Sequence, residues 1–340
     1  MHRLAKIHLM LKKIICLASL GMAPLSAHWI KPSATPALSG NDGKLMVAVF
    51  RTDGVVVPFA LFANQKWTNP WHNPQPDDQA DETATIADLP KPWYQSFVKT
   101  PAEWYLLSPA RGELTVRVSK NVQVCSHCQK VWGLLSDYPN ATPAGRNECV
   151  TTVGVALNEK KPSRAMERLT SASPDWKQLL ILIAPHFESA EIAALTHEGA
   201  SLYASQIPSA QDRAKMPLSM QKIYRNQLTD DGQALFYFEA SREYQKPANA
   251  NDPSCEDISL FGGWALREAQ GKLVLLDSQL APTDCDRKQV GLGFPFAILT
   301  LDGKTFVIVE EDHYEGESYI VLEIGKDGVH RVLATYAGSC

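Results

Sequence analysis

From Ala234 to Tyr336 the chain is a succession of short apolar runs separated by turn residues, and this constrains the fold more than any other feature. The expected strands are Ala234 to Tyr244, Ile258 to Arg267, Lys272 to Gln279, Pro295 to Leu301, Thr305 to Glu311, Ser318 to Ile324 and Val329 to Tyr336. Their joints include Gln270-Gly271, Asp302-Gly303, Tyr314-Glu315-Gly316 and Lys326-Asp327-Gly328. Joints this short leave no room for the crossovers that parallel strands need, so the expectation is an antiparallel meander. Runs such as Phe306-Val307-Ile308-Val309 do not alternate, which predicts strands covered on both faces, partly by helices from the middle of the chain.

The N-terminal half repeats the theme more loosely. Leu45 to Arg51 and Val55 to Phe62 flank Thr52-Asp53-Gly54, a hairpin signal because glycine tolerates the positive φ of a tight turn. Glu103 to Leu107 and Leu114 to Val124 also read as strands, whereas the proline density between Ala63 and Pro101 forbids long regular elements there. The middle differs. Ser173-Pro174-Asp175-Trp176 combines an N-cap, a proline at the first helical position and an acid in the first turn. Trp176, Leu179, Leu180 and Ile183 then recur at helical spacing, Pro185 is expected to kink or end that helix, and Glu188 to His197 and Ser219 to Leu228 are read as further helices. The fold class is therefore α+β and mainly antiparallel β, with β hairpins at the N-terminus, a helical segment in the middle and a β meander at the C-terminus.

The first residues carry Arg3, Lys6, Lys12 and Lys13 ahead of an apolar run, Ile14 to Ala23, about half of the ~20 residues that a membrane-crossing helix needs. Small residues at Pro24-Leu25-Ser26-Ala27 complete the pattern of a secretory signal peptide. The expected organisation is a signal peptide over 1–27, a flexible leader over 28–44, a β-rich region with a Trp/Pro-rich loop over 45–158, a helical region over 159–232 and an antiparallel β region over 233–340. The last region is read as able to form one domain with the N-terminal hairpins. Export would place the mature chain in the periplasm or outside the cell, with no membrane association after cleavage, since the greasiest later run, Leu179 to Ala184, is only six residues. Loss of four basic residues would move the formal charge from −4 to −8, which excludes nucleic acid as an expected partner.

Cleavage would leave Cys125, Cys128, Cys149, Cys255, Cys285 and Cys340, an even number in an oxidising compartment, which favours disulfides. Cys255 and Cys285 bracket the predicted hairpin 258–279 and are expected to pair, contributing about 3 to 4 kcal/mol through loop closure. The pairing of Cys125, Cys128, Cys149 and Cys340 stays open. Cys125-Ser126-His127-Cys128 is also the one motif with redox potential: it follows a strand and is read as preceding a helix, Gln129 to Leu135. That arrangement resembles thioredoxin-like sites, in which a helix N-terminus and an imidazole stabilise the thiolate of the first cysteine. A structural disulfide is the main reading, thiol-disulfide exchange through Cys125, His127 and Cys128 the alternative, and zinc a third that an oxidising compartment disfavours.

Other constellations are weaker. His186 and His197 would lie about 16 Å apart along one helix face, too far to share a metal. Glu310, Glu311, Asp312, His313, Glu315 and Glu317 cluster around a turn, read as a solvated hairpin end in preference to a cation site or an acid/base pair. Trp67, Trp71 and Trp93 are candidate ligand contacts for a carbohydrate or protein partner, weighed against a role in pinning an irregular segment to the core. Ser96 to Lys99 and Ser219 to Lys222 fit Ser-x-x-Lys without supporting motifs, and no metal or cofactor is expected.

The four strands from Phe294 to Ala337, with turns at Leu301-Asp302-Gly303, Tyr314-Glu315-Gly316 and Lys326-Asp327-Gly328, resemble one degenerate β-propeller blade of the FG-GAP class. The resemblance implies a four-stranded blade but no calcium, because Asp302 stands alone where a hard cation needs roughly six to eight oxygens. Val47 to Trp71 and Cys128 to Tyr138 resemble parts of exported bacterial proteins without an assigned activity. Together these features point to an exported binding or structural module rather than an enzyme, with thiol-disulfide oxidoreductase as the alternative.

Overall fold

The computed structural model describes residues 44–69, 103–126, 129–139, 150–196, 208–244, 257–285, 290, 292–313, 316–325 and 327–339. All of them fall in one compact unit, Leu38–Cys340. The fold is mostly antiparallel β, in three sheets with a helix in the middle of the chain.

The first sheet is built from β1 (Leu45–Arg51), β2 (Val55–Ala63), β3 (Lys66–Thr68), β4 (Glu103–Ser108), β5 (Gly112–Ser126), β6 (Gln129–Ser136) and β7 (Thr152–Leu157). The β1–β2 hairpin turns at Gly54, whose φ is 78°. Strand order β1-β7-β4-β5-β6-β2 is closed by a β1–β2 pairing, so six strands form a ring and β3 hangs on β2. Alternation along β1 explains why all seven of its residues are buried: Met46, Ala48 and Phe50 point into the ring with Trp104, Leu106, Trp132 and Leu134, while Val47 and Val49 point outward. A ring this small is filled by its own side chains.

After the ring the chain steps through two short strands, β8 (Ser163–Ala165) and β9 (Glu167–Arg168), which belong to different sheets. β9 edges the sheet of β10 (Ser219–Gln227), β11 (Ala234–Tyr244), β12 (Asp257–Arg267) and β13 (Leu273–Asp284); β8 edges that of β14 (Leu292–Leu301), β15 (Lys304–His313), β16 (Gly316–Gly325) and β17 (Gly328–Ser339). Each is a four-stranded antiparallel meander, so the C-terminal four-stranded unit expected from the sequence has a second one before it.

The meanders pack face to face through Tyr224, Leu235, Tyr237 and Trp264 on one side and Ile298, Val307, Val309 and Ile320 on the other, with Met166 of the β8–β9 step between them. The far face of β14–β16 packs on the outside of the ring through Leu299, Ile308 and Val321 against Val49, Leu107 and Val155. The far face of β10–β12 is covered by helix α1 (Pro174–Thr196) through Leu179, Ile183 and Phe187 against Phe236, Phe238 and Phe261. Both central sheets are therefore buried on two sides, which is why their strands read as unbroken apolar runs. Two prolines inside strands sit where the ladder is already irregular, Pro295 beside a bulge in β14 and Pro58 beside one in the β1–β2 pairing, and Pro282 lies on the edge strand β13.

Three helix expectations are corrected. Ser219 to Leu228 is strand β10, because a bulge between Met220 and Lys222 puts Met220 and Ile223 on one face at a spacing of three, which imitates helical periodicity. Gln129 to Leu135 is strand β6, with Trp132 and Leu134 facing into the ring and Val131 and Leu135 facing out. Pro185 does not end the helix, since α1 runs through it for 23 residues and Glu188 to Thr196 belongs to the same helix. The carbonyl that Pro185 cannot bond belongs to Ile181, on the solvent-facing side. Among the described residues of 159–232 the helices are α1 and the short α2 (Ala210–Lys215). The segment Pro174–Leu195 is, by length and composition, long and apolar enough to cross a membrane, which the count of unbroken apolar residues missed; its Leu179, Ile183 and Phe187 stripe packs on β10–β12.

Polar contacts fix α1 at both ends. Ser173 Oγ accepts from the Asp175 amide at 3.3 Å, and Asp175 receives Arg225 at 3.1 Å and Arg267 at 2.5 Å. Toward the C-terminal end Glu191, fully buried, accepts from Arg242 at 2.5 Å and Tyr244 at 2.6 Å, while Glu188 also pairs with Arg242.

Candidate functional site

Stacking the two meanders leaves a cleft of about 470 Å³ between them. Such a volume lies in the range of small-molecule sites, roughly 300 to 1,000 Å³. Its deepest polar group is Glu239 of β11, only 1% exposed. Glu239 shares the cleft-facing side of β11 with Tyr237, whose hydroxyl donates to Glu239 Oε1 at 2.7 Å and accepts from the Gly293 amide at 3.0 Å. The second oxygen, Oε2, takes no hydrogen bond among the described residues and stands 2.8 Å from Lys222 Nζ. Lys222 lies directly opposite Glu239 in the β10–β11 ladder and rests 4.1 Å above the Phe294 ring. Burial, and then the Glu239 charge, hold the Tyr237 phenol well above its ordinary pKa, so it remains a donor at neutral pH.

Two glycines keep the cleft open. A Cβ on Gly293 would lie 2.5 Å from the Tyr237 hydroxyl, so this position must be glycine for Tyr237 to hold its place. A Cβ on Gly262 would meet nothing nearer than 3.6 Å, so the bare strip at Gly262 leaves space that a larger side chain would fill. Trp264 adds an aromatic wall 5.1 Å from Tyr237, ring centre to ring centre. Toward the mouth stand Asp277, Ser278 and Gln279 of β13, Glu311 of β15 and Arg331 of β17, with Arg331 reaching Glu311 at 3.1 Å. A second groove of about 590 Å³, where Tyr105 and Leu114 face Lys160 and Lys161, holds no buried charged side chain among its lining residues.

The acidic cluster is not a solvated hairpin end. Adjacent residues of β15 point to opposite sides, so Glu311 enters the cleft while Glu310 faces the ring along with Phe306 and Ile308. There Glu310 meets Glu317, buried at 5% exposure; burial first, and the Glu317 charge second, push the Glu310 carboxyl up to about 10. Glu317 accepts from the Tyr319 hydroxyl, which lies 3.1 Å from Thr152 Oγ1 of the ring. The pair thus shares a proton at neutral pH and cannot present two charges to a cation. Among the described residues no three His, Cys, Asp or Glu side chains are placed to hold a metal.

The remaining candidates are scattered. Trp67 of β3 is half-buried and packs on Phe62 at 5.0 Å and Phe306 at 5.4 Å, the geometry of a pin rather than a platform. Trp71 and Trp93 lie outside the described residues, as do His127, Cys128, Cys149, Cys255, Cys340 and His197. Cys125 is near the end of β5, and the β5–β6 ladder closes at Ser126 opposite Gln129, so the segment after the motif is a strand and no helix N-terminus is available to a Cys125 thiolate. Cys285 directly follows β13 and is disulfide-bonded. His186 is exposed on α1.

Glu239 and Tyr237 escaped the sequence reading because they sit inside the run Leu235-Phe236-Tyr237-Phe238-Glu239-Ala240. The available signal was a carboxylate in a strand expected to be covered on both faces, where a charge survives only with a partner. No protein-family model, curated protein or solved structure matches this chain.

Proposed function

We propose that the protein is an exported binding module whose cleft between the β10–β13 and β14–β17 meanders takes a small polar ligand. The observation that carries the reading is Glu239: a carboxylate 1% exposed, lining a 470 Å³ cleft and held there by the Tyr237 hydroxyl at 2.7 Å and by an ion pair with Lys222 at 2.8 Å. A charged group taken that far out of water costs several kcal/mol unless it is used or fully paired. The reading is tested by a thermal-shift screen of the chain from His28 onward against a library of sugars, amines, amino acids and carboxylic acids. A hit should raise the melting temperature of the parent and not that of Gly262→Phe; no hit that the substitution abolishes would refute the reading.

Export rests on residues 1–27, and N-terminal sequencing of protein recovered from the cell envelope should start near His28. The pairing of Cys255 with Cys285 is supported by the ladder, in which Asp257 lies opposite Asp284, and peptide mapping without reduction should recover the two cysteines joined. The blade-like reading of the C-terminal strands gains support from a second four-stranded meander packed face to face against them. Thiol-disulfide exchange through Cys125 and Cys128 lacks the helix it relied on and is the less favoured reading.

A further inference from the structure

We infer that the ligand of the cleft is a neutral, polyhydroxylated molecule of the mono- or disaccharide class. The inference rests on the binding reading above and deepens it. Charge balance comes first. Of the three carboxylates that line the cleft, the two more buried ones each have a cation of their own, Lys222 at 2.8 Å from Glu239 and Arg331 at 3.1 Å from Glu311, and the third, Asp277, is exposed to water. A cationic ligand would have to compete with these internal ion pairs, and an anionic one would be set beside Glu239, Glu311 and the exposed Asp277. A neutral ligand meets neither cost.

Hydrogen-bonding chemistry comes second. Glu239, Glu311 and Asp277 accept, Arg331 donates, and Ser278 and Gln279 do both. Hydroxyl groups, each a donor and an acceptor, fit such a mixed set better than any purely donating or accepting group. Shape comes third. The bare backbone at Gly262 and the Trp264 and Tyr237 rings, inclined at 57° to each other, give a partly apolar wall against which the C–H face of a pyranose ring can pack.

The test is calorimetric titration of the chain from His28 onward with glucose, galactose, N-acetylglucosamine, maltose and cellobiose, beside spermidine and glucuronate as cationic and anionic probes. At least one neutral saccharide should bind, Glu311→Gln should weaken it about tenfold or more by losing a charged acceptor, and Gly262→Phe should abolish it while circular dichroism and melting temperature stay close to the parent. Binding of spermidine or glucuronate, blocked by Gly262→Phe, with no saccharide bound would overturn the ligand class and leave the binding reading standing. Silence from every probe overturns the class too, and the library screen then decides whether the binding reading falls with it.

Discussion

Replacing Glu310 by glutamine should make the protein more stable, and increasingly so as pH rises. The carboxyl of Glu310 ordinarily titrates near 4.5, but burial and the neighbouring Glu317 push it up to about 10 in the folded chain. Between those values the folded protein holds one proton that the unfolded chain has released, so stability falls as pH rises, by about 1.4 kcal/mol per pH unit. At pH 7 the accumulated cost is about 3 kcal/mol, an upper figure because the group is not wholly buried. Glutamine keeps the shape and offers an N–H where the protonated acid offers O–H, but carries no proton to lose. Glu310→Gln should therefore gain about 3 kcal/mol at pH 7 and almost nothing below about pH 3.5, where folded and unfolded acids are both largely protonated. Urea unfolding followed by tryptophan fluorescence at pH 5, 6, 7 and 8 reads the difference through the midpoint at constant slope. A gain that is the same at pH 5 and pH 8, or a loss at pH 7, would show that the two carboxyls do not share a proton across this interface. Glu317→Gln removes the neighbouring charge but leaves Glu310 buried, so it should flatten the pH profile only in part.

Other parts of the structure give independent expectations. Phe187→Ala removes the fully buried ring through which α1 meets Phe261 and should cost about 3 to 5 kcal/mol in equilibrium unfolding. Arg242→Met strands Glu191 without its cation and should cost roughly 3 to 5 kcal/mol, whereas adding Glu191→Leu should recover most of it, since a buried pair replaced whole by apolar side chains is often neutral; no recovery would mean that the pair is worth more than its desolvation. Gly293→Ala places a methyl 2.5 Å from the Tyr237 hydroxyl and should free Tyr237 from Glu239, seen as a fall in the phenol pKa by ultraviolet titration. Alkylation of the native protein should leave Cys125 and Cys128 unmodified if they are disulfide-bonded structural residues; rapid labelling of Cys125 after mild reduction would revive the redox reading.

The C-terminal meander and the first hairpin were legible because their turns are written in glycine and their strands in apolar runs, both local signals. Seven expected strands from Ala234 onward correspond to β11–β17. Closure of the ring was not legible, since it depends on β1 pairing with both β2 and β7 across about a hundred residues. The false helix at Ser219 to Leu228 has a single cause: one bulged residue changes the face on which every later side chain emerges, so a strand with Met220, Ile223 and Tyr224 at a helix-like spacing is indistinguishable from a helix until its partner β11 is known. At α1 the opposite error arose, because proline was weighed as a breaker without knowing that its unpaired carbonyl would face water.

The candidate site was hidden for a related reason. Glu310 and Glu311 are consecutive in sequence and share one acidic neighbourhood, yet they serve different interfaces, one against the ring and one in the cleft between the meanders. A run of acids reads as a solvated tip only while the strand is thought to end before it; β15 continues to His313, and alternation then carries each carboxylate into an apolar layer in turn. There each must be answered separately. Glu311 takes Arg331 from two strands away, while Glu310 is left with Glu317 and keeps its proton instead of its charge. The same parity governs β11, where Phe236 and Phe238 face α1 and Tyr237 and Glu239 face the cleft. A carboxylate inside an apolar run is therefore informative in proportion to the number of layers stacked on its strand, and here two sheets covered on both sides turn Glu239 and Glu310 into carboxyls that must be paired or keep their proton.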